Sequence, residues 1–109
     1  MRVDETNAAI RGFTDVRTLR LDVDPRSGRC DLALRLERPG EADTAIDVVL
    51  VDVAGLTVRD LGGGLPQLLL LTVEDISMEQ RDRANYRIRE LERGSIECVC
   101  RAIDVCAAS

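Results

Sequence analysis

Through most of the chain, apolar and polar residues alternate with period two. In the stretch VRTLRLDVDPRSGRCDLALRLE, Leu19, Leu21 and Val23 alternate with Arg20 and Asp22, and Cys30, Leu32, Leu34 and Leu36 alternate with Asp31, Ala33, Arg35 and Glu37. Such alternation places one set of side chains on one face of a strand. The intervening DPRSG carries Pro and Gly among polar residues, so the pair reads as a β-hairpin with one face buried and the other wet. A second turn, RPGEAD, leads into TAIDVVLVDV, which has apolar residues on both sides of the alternation and so predicts a central strand. Ala54-Gly55 then interrupts the run before LTVRDL resumes. That pattern suits either a bulged continuation or a new strand.

The segment LGGGLPQLLLLTVEDI holds three glycines before an apolar run that ends in Thr72 and Val73, and it predicts a bend delivering a further strand. If that strand lies at a sheet edge, Leu68 to Leu71 form a self-association surface. Helical spacing is confined to SMEQRDRAN, where Ser77 and Gln80 fit a capping box. In the last third, Tyr86 and Ile88 alternate with Arg87 and Arg89, and Ile96, Cys98 and Cys100 with Glu97 and Arg101, which predicts a closing hairpin. Its phase flips at Ile103 and Val105. The expected fold is mainly β: antiparallel hairpins forming a β-sandwich, or a strongly curved sheet or half-barrel, with at most one short helix near residues 77–84. One domain is expected over 1–109, with residues 1–12 a loosely ordered N-terminal segment.

Composition fixes the character of the core. Apolar residues make up 45% of the 109 and charged residues 32%, the balance of a folded domain. Phe13 and Tyr86 are the only aromatics, so the core is aliphatic and offers no platform for stacking bases. The net charge of -5 opposes nucleic acid and anionic membranes and favours a basic protein partner. No apolar run approaches the roughly 20 residues of a membrane span, and the first residues do not resemble a secretory leader, so a cytoplasmic protein is expected.

The glycine run lacks the Lys and Ser or Thr of a phosphate loop, and the chain contains no Lys at all. Cys98 and Cys100 project to one face, but with Cys30 and Cys106 they lack the spacing and the His of a zinc site, so they read as small core hydrophobes and no metal is expected. Asp22 and Asp24 flank a turn, and Asp47 and Asp52 interrupt a hydrophobic strand. Neither pair completes a calcium shell or stands out as an acid-base couple. The absence of His removes Ser-His and Cys-His nucleophile pairs. No catalytic residue and no cofactor are therefore expected.

The stretches GFTDVRTLRLDVDPRSGRCDLALRLE, VVLVDVAGLTVRDL and YRIRELERGSIECVCRAIDV resemble a family of small bacterial immunity proteins, the family numbered fifty, and related β-rich bacterial proteins. The resemblance covers most of residues 12 to 105. Phe13 and Asp15 match the opening motif and Cys100, Arg101, Ile103 and Val105 the closing one, whereas Thr14 stands where the family commonly has His. The resemblance implies a protein that binds and neutralises a toxin encoded beside it.

These strands of argument converge on a non-catalytic protein-binding domain of immunity type, whose partner is a basic toxin domain. The exposed acids Glu74, Asp75, Glu79 and Asp82 are its candidate contacts, and a homodimer is compatible with the pattern. The rival readings are a small-molecule-binding or self-assembling β domain and, least favoured, a carboxylate-dependent enzyme.

Overall fold

The computed structural model describes residues 2–59, 68, 70–79 and 84–108. The elements run α1 (Val3–Ile10), β1 (Asp15–Val23), β2 (Cys30–Arg38), β3 (Glu41–Val51), β4 (Ala54–Val58), β5 (Leu71–Asp75), a 3-10 turn at Ser77–Glu79, β6 (Tyr86–Glu90), β7 (Ile96–Cys100) and β8 (Ala102–Ala107). Strands β1-β2-β3-β8 form one antiparallel sheet and β4-β7-β6-β5 the other. Leu32, Leu34, Leu36, Ile46, Val48 and Leu50 from the first sheet meet Leu71, Val73, Ile88, Ile96, Cys98 and Cys100 from the second in one buried cluster. Two layers facing across one aliphatic core make a β-sandwich, as the alternation predicts.

The first hairpin forms as predicted, in a register that sets Leu19 opposite Leu34, Leu21 opposite Leu32 and Val23 opposite Cys30. Its turn is held by the Asp24 carboxylate, which accepts the Arg26 N–H and the Ser27 hydroxyl, each at 3.0 Å. One expectation fails here. Leu32 and Leu34 are buried, but Leu19, Leu21 and Val23 are 37%, 45% and 59% exposed. β1 is the outermost strand of its sheet, and among the described residues the opposing sheet leaves its apolar row uncovered.

Both irregularities in the pattern come from one corner, where two strands cross between sheets. β3 passes into β4 through Asp52 and Val53, and β7 passes into β8 through Arg101. Arg101 N–H donates to the Val51 carbonyl at 2.9 Å and Val53 N–H to the Cys30 carbonyl at 2.6 Å. Asp52 turns the chain with φ 58, and its N–H donates to Asp31 Oδ1 at 2.9 Å. The left-handed region is one that Asp tolerates better than a branched residue. The segment after Ala54 is thus a new strand in the other sheet, with a bulge between Ala54 and Thr57. The phase flip at Ile103 is the change of sheet at Arg101.

The α-helix lies elsewhere than expected. Residues 3–10, read from sequence as part of a loose segment, form α1, which buries Thr6 and Ile10. The Asn7 side chain donates to the Val73 carbonyl at 3.0 Å and accepts the Val73 N–H at 2.9 Å, tying the helix to the outer edge of β5. Within 77–84 the described residues form a 3-10 turn at Ser77–Glu79, and 80–83 lie outside the described residues. The glycines at 62–64 also lie outside them. Leu68 and Leu71 are 1% and 9% exposed, so these two leucines belong to the core and not to a self-association surface. Among the described residues no helix is long and apolar enough to cross a membrane.

Candidate interaction face

The outer face of the second sheet carries charge because the sheet alternation turns Val73 and Ile88 inward and their neighbours outward. Glu74 stands directly opposite Arg87, and Arg89 opposite Glu97. The Glu74 carboxylate receives Arg89 Nη2 at 2.6 Å and Arg89 Nε at 2.7 Å, with Arg87 Nη1 at 3.8 Å. Arg87 Nη2 reaches on to Glu79 at 3.6 Å. The candidate contact acids Glu74 and Glu79 are linked through Arg87 as members of a mixed network with two arginines, and not as a bare negative patch.

Asp75 has a different task. It accepts the Ser77 hydroxyl at 2.6 Å and the Ser77 N–H at 2.9 Å, and these two bonds hold its carboxyl below the usual carboxylate range. The bonds start the 3-10 turn, which Glu79 N–H closes on the Ile76 carbonyl at 2.9 Å. Ile76 is buried and fixes the turn to the sheet. At its apex Met78 is 91% exposed. The sequence reading passed over Met78, since in a helix its side chain had no assigned direction. The signal present was an apolar residue set between Asp75 and Glu79. Asp82 lies outside the described residues.

The other carboxylates singled out from the sequence have structural partners. Asp22 pairs with Arg20 at 3.1 Å and Asp24 closes its hairpin. Asp47 takes both Arg35 nitrogens, at 2.9 and 3.1 Å, and that bidentate bond lowers its pKa. Asp31 is lowered by the Asp52 N–H and by Arg29. No group of three or more Cys, Asp or Glu among the described residues is placed to hold a metal ion. Of the four cysteines read as core hydrophobes, Cys98 and Cys100 lie in the core, where burial pushes their thiols up to about 11 and about 12, whereas Cys30 is only half-buried and Cys106 is exposed on β8.

Two hollows bear on ligand binding. One of about 250 Å³ lies between α1 and β5, lined by Asn7, Ile10, Phe13 and Leu68, and is smaller than the roughly 300–1,000 Å³ of typical ligand pockets. The other, about 480 Å³, lies on the outer face of the first sheet, and of its charged groups Arg35 pairs with Asp47 and Arg20 with Asp22. Of the residues carrying the family resemblance, Phe13 packs under Arg38 at 4.7 Å from the ring centre, Thr14 hydroxyl reaches Asp15 at 3.5 Å, and Arg101 holds the corner.

No protein-family model matches the chain, nor does any curated protein or solved structure.

Proposed function

We propose that the protein is a non-catalytic binding domain that neutralises a basic protein partner, in the manner of a bacterial immunity protein. The observation that carries the reading is Met78. A flexible, polarisable side chain stands outward, 91% exposed, on a turn anchored by Ile76 and Asp75, beside Glu79, which joins through Arg87 to the Glu74–Arg89 pair. An apolar anchor within a charged surround is the composition of a contact site whose centre is desolvated and whose rim stays wet. The net charge of -5 would draw a basic partner to the protein as a whole.

The direction of the pKa shifts favours this reading over carboxylate catalysis. Asp24, Asp31, Asp47, Asp75 and Glu90 are all held below their ordinary values. A general acid instead requires one carboxyl to be raised beside another that stays ionised. The test is co-expression with the C-terminal domain of the protein encoded beside this one. Restored growth of the host supports neutralisation, and growth arrest that is unchanged by co-expression refutes it.

A further inference from the structure

We propose that the open edge of β1 pairs two copies of this chain, antiparallel, about a two-fold axis at Leu21. The chain protects its other sheet edges. Asn7 occupies the N–H and carbonyl of Val73 on β5, α1 also lies against β8, and β4 is a five-residue strand broken by a bulge and by Gly55 at φ +61. Short, bulged or covered edges resist pairing with another chain. Among the described residues, β1 has none of these protections over Thr18–Val23: it is nine residues long, regular after its bulge at Val16/Thr18, and has β2 as its only strand partner.

The backbone of that edge points outward at the right residues. Asp24 N–H donates to the Arg29 carbonyl, and in an antiparallel ladder successive residues turn their N–H and C=O alternately toward and away from the partner. The amides and carbonyls of Leu19, Leu21 and Val23 therefore face the open edge. These are also the three exposed apolar side chains of β1.

A two-fold axis at Leu21 satisfies both rows of side chains. Leu21 then meets Leu21 of the second copy, Leu19 meets Val23, and on the other face Arg20 meets Asp22. Shifting the axis to Arg20 sets Arg20 against its own copy, and shifting it to Leu19 sets Leu21 against Arg17. Like charges directly opposite are destabilising and opposite charges favourable. Among the described residues Arg20 and Asp22 bond only to each other, with side chains 73% and 60% exposed, so both are available for the exchange. So short a pairing buries little area and predicts reversible association in the micromolar range. This inference stands apart from the toxin-binding reading.

Sedimentation velocity of the full chain, from low micromolar to millimolar concentration, tests the inference. A reversible doubling of mass is expected. Leu21→Lys, Arg20→Asp alone and Asp22→Arg alone should each weaken dimerisation by about tenfold or more, and the Arg20→Asp/Asp22→Arg double variant should recover to within about threefold of the parent. All three side chains replaced are exposed, and an unchanged melting temperature confirms that each of the four variants is folded. A chain that stays monomeric throughout, variants that dimerise as the parent does, or a double variant as weak as the singles each overturn the proposal.

Discussion

The Ser95 hydroxyl donates to the Glu90 carboxylate at 3.1 Å inside the β6–β7 turn, where Glu90 is only 2% exposed. The same carboxylate accepts the N–H groups of Glu92 at 2.7 Å, Arg93 at 2.9 Å and Ser95 at 3.4 Å. A buried acid is here a turn clamp. Glu90→Ala leaves those donors unsatisfied and should cost about 2–4 kcal/mol, with Glu90→Gln roughly half as damaging because one acceptor oxygen remains. Urea denaturation midpoints measure both.

The same turn predicts the response to acid. Burial pushes the Glu90 pKa up, but the backbone and hydroxyl hydrogen bonds outweigh it and leave the folded value below the ordinary 4.5. A depressed folded pKa means that the unfolded chain binds the proton first. The contribution is therefore fully present above about pH 4.5 and is lost as pH falls through the folded value. Asp24, Asp31, Asp47 and Asp75 act with the same sign from 3.8 downward. Thermal melts should be flat from neutrality to about pH 5 and fall steeply below 4.5. In Glu90→Gln that fall should be shallower.

Asn7 serves as a one-residue neighbour strand for β5. Removing it in Asn7→Ala strips two hydrogen bonds from Val73 and should cost about 1–3 kcal/mol. Asn7→Asp keeps the acceptor for Val73 N–H and loses the donor, so its cost should fall between the parent and Ala. Hydrogen exchange at Val73 N–H should quicken in Asn7→Ala and much less in Asn7→Asp.

The hairpins were legible because alternation is a local signal. Leu32, Leu34 and Leu36 are buried as their spacing predicts, and so are Ile88, Ile96 and Cys98. What escaped depends on which elements cover which. Leu21 and Leu34 sit in equivalent patterns, yet only Leu34 has a sheet above it. The helix at 3–10 was hidden because Val3, Thr6 and Ile10 make too few apolar positions to register, and its attachment runs through a polar residue, Asn7. The acids at 74 and 79 read from the sequence as exposed, which holds for Glu79 but not for the half-buried Glu74, whose arginine partners come from β6 and are revealed only by the pairing of β5 with β6.

Thiol reactivity should separate the four cysteines. Cys106 is exposed and Cys30 half-buried, while Cys98 and Cys100 are buried with thiols raised by desolvation. Titration of the folded protein with a chromogenic disulfide should show one fast thiol, removed by Cys106→Ser, and a slower one from Cys30. Cys98 and Cys100 should react only in denaturant. Rapid modification of all four in the native state contradicts this packing.

The central claim is that the turn bearing Met78 is a protein-binding site. The direct measurement is a calorimetric titration of the purified chain with the C-terminal domain of the protein encoded beside it, at low and high salt. A saturable one-to-one complex that weakens with salt is predicted, and Met78→Asp and Glu79→Arg should each reduce affinity by at least about tenfold while melting temperatures stay unchanged. No heat of binding, or an affinity indifferent to both substitutions, contradicts the claim.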